Sequence, residues 1–165
     1  MKSETSAQHQ KESSKDITCG IITLSDSRKS KKADLSGQYM ADEIETHIDE
    51  GVDVIFTTGG TGLDTRDITV ETVESLFEKK LDGFGELFRA KSYEEIGAAA
   101  LLSRATAGIY KKTVIFSMPG SPNAVKTAFG IIIDELPHFV HHVKKWWKYF
   151  SSFLLFLIKK FTNTY

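Results

Sequence analysis

The chain has 165 residues, of which 41% are hydrophobic and 26% are charged, a composition typical of a single globular domain with its own core. Its formal net charge of −1 excludes an overall basic field of the kind that attracts nucleic acid. The only cysteine, Cys19, excludes an internal disulfide and a cysteine-based metal site, and fits a reducing cytosol. Residues 1–16 are polar and lack the apolar region of a signal peptide, so we predict a disordered tail.

The first part of the sequence predicts two neighbouring parallel strands joined by a helix. The apolar runs 17–24 and 52–58 predict buried strands, and residues 36–49 predict a helix with Asp34 or Ser36 as its N-cap. Two buried strands connected through a helix are typical of a right-handed crossover in a parallel sheet. We therefore expect an alternating α/β domain.

A glycine-rich turn, Gly59-Gly60-Thr61-Gly62, follows the second strand directly. It precedes a helix predicted over residues 68–80, with Thr69 as its N-cap. Glycines let the backbone turn tightly, and unpaired N–H groups at the turn and the helix start attract an anion. Asp67 lies just beyond the turn, where a carboxylate can hold a metal ion on a phosphate.

The second half predicts further helices and one more buried strand. We expect Gly83 to end or separate a helix, and the capping-box pattern Ser92 to Glu95 to open another that continues to Leu102. Residues 113–117 predict a strand, followed by a tight turn over 118–122. Asn123 is expected to cap a helix that runs to about residue 136, which Pro137 kinks or restarts. The loops after Leu24, Thr58 and Ser117 are expected to meet at one sheet edge.

Five motifs in order resemble the MoaB/Mog family of molybdenum-cofactor biosynthesis proteins, and are most similar to its MoaB branch. The motifs are Leu24-Ser25-Asp26-Ser27-Arg28 with Asp34-Leu35-Ser36-Gly37; Gly59-Gly60-Thr61-Gly62 with Arg66-Asp67-Ile68-Thr69 and Glu71; Gly83-Phe84-Gly85-Glu86 with Phe88-Arg89; Leu102-Ser103-Arg104-Ala105 with Ala107-Gly108; and Met118-Pro119-Gly120-Ser121-Pro122-Asn123-Ala124-Val125. The resemblance covers residues 17–145, which we take as the domain.

The resemblance implies a three-layer α/β fold with a mostly parallel central sheet and helices on both faces. It implies a cytoplasmic homo-oligomer, trimeric or hexameric, that uses Mg²⁺ and ATP to adenylylate molybdopterin and releases pyrophosphate. Asp67 is then the catalytic and metal-binding residue. The residues implied to bind substrate and nucleotide are Ser25, Asp26, Thr58, Gly59, Gly60, Thr61, Gly62, Arg66, Ser103, Pro119, Gly120, Ser121, Pro122 and Asn123.

The chain departs from the family pattern between its first helix and the strand at 52–58. The family has another strand and helix there, ending in a Pro-Asp element whose Asp belongs to the active site. Here the helix runs almost directly into that strand, with an apparent junction near His47. Asp49 and Asp53 are the nearby acidic residues, but neither lies in a Pro-Asp turn. A catalytically impaired relative that still binds molybdopterin or nucleotide is therefore the alternative to an active enzyme.

Two features lie outside the resemblance. Residues 146–165 form an atypical hydrophobic tail whose uncharged run is too short to span a membrane, so an interfacial helix, a partner-docking helix and a segment without a role stay open. A membrane-tethered or oligomeric scaffold is the function that this tail would indicate. His138, His141 and His142 have the spacing of metal ligands on one helix face, although a solvated polar face is the favoured interpretation.

Overall fold

A computed structural model describes residues 16–24 and 33–162, with side chains over 16–24 and 37–153. Five strands are formed: β1 (Cys19–Thr23), β2 (Val54–Thr58), β3 (Lys79–Lys80), β4 (Thr106–Tyr110) and β5 (Thr113–Met118). The α-helices are α1 (Ala33–Asp49), α2 (Thr69–Leu76), α3 (Asp82–Ile96), α4 (Pro122–Ile132) and α5 (Leu136–Thr162). Short 3₁₀ helices, Gly97–Leu102 and Ile133–Glu135, follow α3 and α4.

The sheet has the strand order β1-β2-β5-β4-β3. The pairs β1–β2 and β2–β5 are parallel, whereas β4 runs antiparallel to both of its neighbours. Four of the five strands therefore point the same way, which confirms the mostly parallel sheet. The carboxyl ends of β1, β2 and β5 lie side by side at one edge.

Helices cover both faces of the sheet, which confirms the three layers. On one face, Ile55 and Ile115 pack with α1 and α2 through Ile44 and Val73. The opposite face buries a larger cluster in which aromatic rings of the strands contact those of α3, α4 and α5. Alternate residues of β2 and β5 point to opposite faces, and both sets are apolar because both faces are covered.

The first strand differs from the prediction of a buried strand over 17–24. It is shorter, and only Gly20 within it is buried, whereas the Ile21 side chain is 65% exposed. The physical reason is its position, because β1 is an edge strand with a single neighbour among the described strands. His47 of α1 packs directly over Gly20, where a Cβ would lie 3.0 Å from the imidazole ring.

The helix boundaries around α2 and α3 correct three predictions. Helix α2 ends at Leu76 rather than continuing to residue 80, because residues 79–80 pair with β4 as an antiparallel edge strand. Gly83 does not end a helix, since it lies in the first turn of α3. The predicted capping-box residue Ser92 is buried in the middle of α3, which runs unbroken from Asp82 to Ile96. Tertiary burial overrides the local capping pattern there.

The last helix, α5, extends through most of the atypical tail at residues 146–165. Pro137 restarts the chain as α5 after a 3₁₀ turn, as one of the two predicted alternatives has it. Trp146 packs against the larger core cluster, and Lys144 Nζ lies 2.6 Å from Asp53 Oδ1 at the amino end of β2. Within the described ranges, no helix combines the length and apolar character that crossing a membrane requires.

Helix α3 offers a matched pair of substitutions that tests this packing. Phe88 is 1% exposed and contacts the larger core, whereas the adjacent Leu87 is 58% exposed. We expect Phe88→Ala to lower the free energy of unfolding by about 3–5 kcal/mol, because it leaves a cavity. Leu87→Ala should change it by no more than about 0.5 kcal/mol. Urea denaturation measures both, and equal losses would contradict the assigned orientation of α3.

Candidate functional site

Leu24, the glycine-rich turn after β2 and the turn after β5 lie together at the carboxyl edge of the parallel strands. The Leu24 N–H donates to the Thr58 carbonyl at 2.8 Å, and the Gly59 N–H donates to the Met118 carbonyl at 3.0 Å. Gly120 lies against Gly59, since a Cβ on Gly120 would lie 3.3 Å from the Gly59 Cα. These contacts place the glycine-rich turn between the other two loops.

The backbone of the turn requires glycine at two positions. Gly59 and Gly60 have φ angles of 89° and 64°, in the left-handed region that side chains disfavour. A Cβ at Gly59 would lie 2.3 Å from the Leu24 carbonyl oxygen, and one at Gly60 would lie 2.4 Å from Thr69 Oγ1. Conformation and close packing therefore both exclude larger side chains.

The turn leaves a group of backbone donors unused. Within the part of the chain that the structure describes, no acceptor pairs with the N–H groups of Gly60, Thr61, Gly62 or Leu63. Thr61 itself is 3% exposed, so its backbone is held in place while the neighbouring glycines reach the surface. Consecutive unpaired amides in a glycine-rich turn form an anion-binding concavity. This is the property predicted from the sequence.

Thr69 has a different role from the predicted N-cap. It is the first residue of α2, whose N-cap is Ile68, and its side chain is fully buried. The Thr69 hydroxyl donates to the Gly59 carbonyl at 2.8 Å, and its N–H donates to the Gly60 carbonyl at 3.0 Å. Thr69 thus engages both carbonyls, while the N–H groups of Gly60, Thr61 and Gly62 stay unpaired in the described structure.

Asp67 lies beside the turn, as expected. Its Oδ2 accepts a hydrogen bond from the Asp64 N–H at 3.0 Å and would lie 2.6 Å from a Cβ on Gly62. The predicted substrate-binding residue Arg66 is exposed, and its Nε donates to Asp64 Oδ1 at 3.1 Å. This guanidinium holds the pKa of the Asp64 carboxyl below its usual value. The contact between Arg66 and Asp64 therefore stabilises the part of the loop in which both residues lie.

Arg104, which the sequence analysis names only as part of a family motif, contacts the glycine-rich turn. Its Nε donates to the Thr61 carbonyl at 3.3 Å, and its Nη2 donates to the Asp67 carbonyl at 2.8 Å. Nη1 also pairs with Glu71 of α2, a hydrogen bond that lowers the pKa of the Glu71 carboxyl. One guanidinium therefore connects the segment before β4 to both ends of the loop. A planar group with five donors is suited to this task.

Ser103 lies next to Arg104 but does not contact the glycine-rich turn. It caps the 3₁₀ helix that ends at Leu102 and lines a cavity of about 440 Å³. Charged side chains dominate the wall of this cavity: Glu74, Lys80, Asp82, Glu86, Arg89 and Arg104. Arg89 donates to the Ala105 carbonyl at 3.3 Å, so its head group is fixed at the wall. The cavity and the turn share Arg104 as their common border.

The turn after β5 contributes a helix start rather than charged groups. Ser121 is the N-cap of α4, since its Oγ accepts a hydrogen bond from the Ala124 N–H at 3.3 Å. Asn123 was predicted to be the cap, but Pro122 already occupies the first turn, where its missing N–H costs nothing. Pro119 is half-buried beside the exposed Gly120. Helix α4 therefore begins in the turn after β5, the strand that neighbours β2 and its glycine-rich turn.

The remaining predicted residues have separate outcomes. Thr58 lies at the carboxyl end of β2, where its hydroxyl donates to Thr23 Oγ1 at 3.3 Å. Ser25 and Asp26 lie outside the described residues. Asp53 does not replace the missing carboxylate, because it lies at the amino end of β2 and pairs with Lys144 there.

Comparison with known proteins identifies the family. A family model described as a probable molybdopterin binding domain matches residues 38–138. This chain belongs to the MoaB/Mog family of molybdenum-cofactor biosynthesis proteins. It is 42% identical to the molybdopterin adenylyltransferase of Pyrococcus furiosus, over 84% of this chain and 98% of that protein. It is 40% identical to molybdenum cofactor biosynthesis protein B of Bacillus subtilis, over 84% and 96% of the two chains.

Solved structures agree with the family assignment. The crystal structure of the tungsten cofactor synthesizing protein MoaB from Pyrococcus furiosus superimposes with a TM-score of 0.64 at 42% identity. The match covers 79% of this chain and 99% of that one.

The alignment with the Pyrococcus furiosus adenylyltransferase also contains a gap. It extends over 166 positions, yet 84% of 165 residues is about 139, so about 27 positions have no counterpart in this chain. The Bacillus subtilis relative gives a similar difference, with 165 aligned positions at the same coverage. The sequence analysis predicts that such positions form a strand and a helix near His47; the coverages give their number and not their place.

The glycine-rich turn can be tested against a control glycine in a helix. We expect Gly59→Ala to lower the free energy of unfolding by at least about 2 kcal/mol, through positive-φ strain and the clash with Leu24. Gly130 lies in α4, and a Cβ there would meet no atom within 4 Å. Gly130→Ala should therefore raise stability by about 0.5–1 kcal/mol. Thermal denaturation gives both signs, and a stable Gly59→Ala would contradict the described turn.

Proposed function

We propose that this chain transfers AMP from ATP to the terminal phosphate of molybdopterin and releases pyrophosphate. In this reaction an oxygen of the molybdopterin phosphate forms a bond to the α-phosphorus of ATP, and the bond between the α-phosphorus and pyrophosphate breaks. The unpaired backbone amides of Gly60, Thr61 and Gly62 are the observation that supports this most. The similarity to a molybdopterin adenylyltransferase over nearly its whole length supports the same substrates.

The chemistry explains why the site has so few reactive side chains. Attack of one phosphate on another brings like charges together, so the rate depends on positioning and charge neutralisation. Backbone amides neutralise charge without a protonation step, and their position here is fixed by Thr69 and Arg104. A protein nucleophile is not needed. The turn would hold the phosphates of the reactants, with Thr58 and the Pro119–Asn123 segment at its borders.

The residues present fit a magnesium ion of the kind that such reactions use. Mg²⁺ is usually held by one or two carboxylates together with substrate phosphates. Asp67 supplies one carboxylate beside the turn, and within the described residues its Oδ1 accepts no hydrogen bond. No group of three or more His, Cys, Asp or Glu side chains suited to a metal occurs in that part of the chain. When bound, Mg²⁺ would neutralise phosphate charge as the new bond forms.

Arg104 is proposed as a positioning residue for this reaction. Its side chain is engaged by two loop carbonyls and by Glu71, so it is not available as a phosphate ligand in this arrangement. By holding the Asp67 carbonyl it sets the distance between the Asp67 carboxylate and the amides of the turn. The charged cavity behind it is wide enough to take part of a substrate, with Ser103 on its wall.

The alternative is a protein that binds molybdopterin or nucleotide without turnover. The gap of about 27 positions supports it, since the missing segment is where the family pattern places a second active-site Asp. The deciding experiment incubates the purified full chain with Mg²⁺, ATP and molybdopterin and follows adenylylated molybdopterin. Product formation supports the enzyme; substrate binding without product from folded protein supports the alternative and contradicts the transferase.

Asp67→Asn tests the role of the carboxylate. We expect the rate of adenylyl transfer to fall by about 10²-fold or more, because the variant keeps the shape but loses the charge that would hold Mg²⁺. Asp42→Asn is the matched control, since Asp42 is an exposed carboxylate on α1 that does not line the cavity. It should retain the wild-type rate. An Asp67→Asn enzyme with wild-type activity would remove Asp67 from the mechanism.

We propose further that the chain works as a cytoplasmic homo-oligomer. Large apolar side chains around the end of α3 are exposed, among them Tyr93 at 64%, Ile96 at 59% and Leu101 at 80%. Exposed apolar clusters of this kind are typical of protein interfaces. Ile96→Ser with Leu101→Ser should shift sedimentation velocity towards the monomer, whereas Ile21→Ser on β1 should not. A wild-type chain that sediments only as monomer would contradict the proposal.

A further inference from the structure

Two histidines on α5 bring their outer ring nitrogens together. His138 and His142 are one helical turn apart, and their Nε2 atoms are 2.9 Å from each other. Both residues are accessible, since the His138 side chain is 26% exposed and His142 is exposed. His141, between them in sequence, is directed elsewhere, with its ring perpendicular to that of His142 at 5.9 Å.

Glu135 lies behind the first of these rings. Its Oε2 is 3.4 Å from His138 Nδ1, on the side of the ring away from His142. A histidine that ligates a metal through one nitrogen usually donates its other N–H to a carboxylate, which fixes the ring and raises its basicity. The sequence analysis favoured a solvated face for these histidines, because no acidic partner was evident. The structure supplies that partner.

The spacing of the two nitrogens is set here by the hydrogen bond between the rings, and it is short enough for both to reach one metal ion. Two metal–nitrogen bonds of about 2.05 Å that meet at about 90° place their nitrogens about 2.9 Å apart. The tetrahedral angle that Zn²⁺ prefers would separate them by about 3.3 Å. Right angles between ligands are typical of square-planar and tetragonal sites, which Cu²⁺ and Ni²⁺ form with imidazole.

We propose that His138 and His142 form a two-histidine chelate for Cu²⁺ or Ni²⁺ on the surface of α5. Water completes the coordination, because no third His, Cys, Asp or Glu among the described residues converges on the pair. In the metal-free chain a proton bridges the two nitrogens. The metal would replace this hydrogen bond between the two rings.

This chelate is separate from the adenylyl-transfer site. Lys144, one turn beyond the pair, contacts Asp53 at the amino end of β2, whereas the glycine-rich turn follows the carboxyl end of that strand. Val140 and Val143 anchor this part of α5 in the core, so the two rings are presented by a rigid element. Substitutions of the pair should therefore leave adenylyl transfer unchanged.

The test measures Cu²⁺ and Ni²⁺ binding to the untagged full chain at pH 7.5 by calorimetry. His138→Ala and His142→Ala should each weaken binding at least tenfold, and Glu135→Gln should weaken it by about 10–100-fold. His141→Ala is the matched control and should bind like the wild type. Circular dichroism establishes that each variant is folded.

Electron paramagnetic resonance of the Cu²⁺ complex provides a second measurement. The wild type should show hyperfine coupling to two imidazole nitrogens, and His142→Ala should show coupling to one. Unchanged affinity in both single variants would assign binding to another of the five histidines and overturn the proposal. A wild-type chain that binds neither ion below millimolar concentration would overturn it as well.

Discussion

The hydroxyl of Thr69 is the contact on which the arrangement of the site depends. It is buried at the start of α2 and donates to the carbonyl of Gly59, while the Thr69 amide holds the carbonyl of Gly60. With both carbonyls engaged by Thr69, the amides of Gly60, Thr61 and Gly62 stay unpaired in the described structure. Gly59 and Gly60 adopt positive φ angles in this turn. A helix start and a strand end are thus connected through one side chain, and the anion-binding property follows from that connection.

The sheet places this turn where substrates can reach it. Strands β1, β2 and β5 are parallel neighbours, so their following loops share one edge. Strands β2 and β5 are intact as parallel neighbours, and β1 is an edge strand of the described sheet with Ile21 exposed. His47 of α1 covers Gly20 of that strand. The glycine-rich turn is therefore present although about 27 aligned positions have no counterpart in this chain.

The sequence predicts the parts of the fold that are governed by local pattern. Strands β2 and β5 are continuous apolar runs, and the turns that follow them contain glycine and proline at positions that only those residues suit. The continuity of α3 was missed because Gly83 and Ser92 have the local character of boundaries, whereas burial of Phe84 and Phe88 keeps the helix whole. Burial of β1 was overestimated, since an apolar run does not reveal whether a strand has one neighbour or two.

The sequence predicts the candidate site from residue types and misses the side chain that supports it. Asp67 and the glycine-rich turn could be named as candidates, because their residue types have a direct chemical meaning. Arg104 is 43 residues away from Thr61 in the chain, and no local pattern connects them. Its position beside Ser103 was the one available signal, and only the fold shows that its guanidinium reaches the turn.

A nitrogen-15 NMR titration of the full chain with Mg²⁺–ATP tests the central claim most directly, because it observes the backbone amides themselves. The account predicts that the largest shifts occur at Gly60, Thr61 and Gly62, and that pyrophosphate alone reproduces them in part. Shifts confined to the cavity around Arg89 and Glu86, or no shifts in the turn at saturating ATP, would contradict a phosphate-binding role for it.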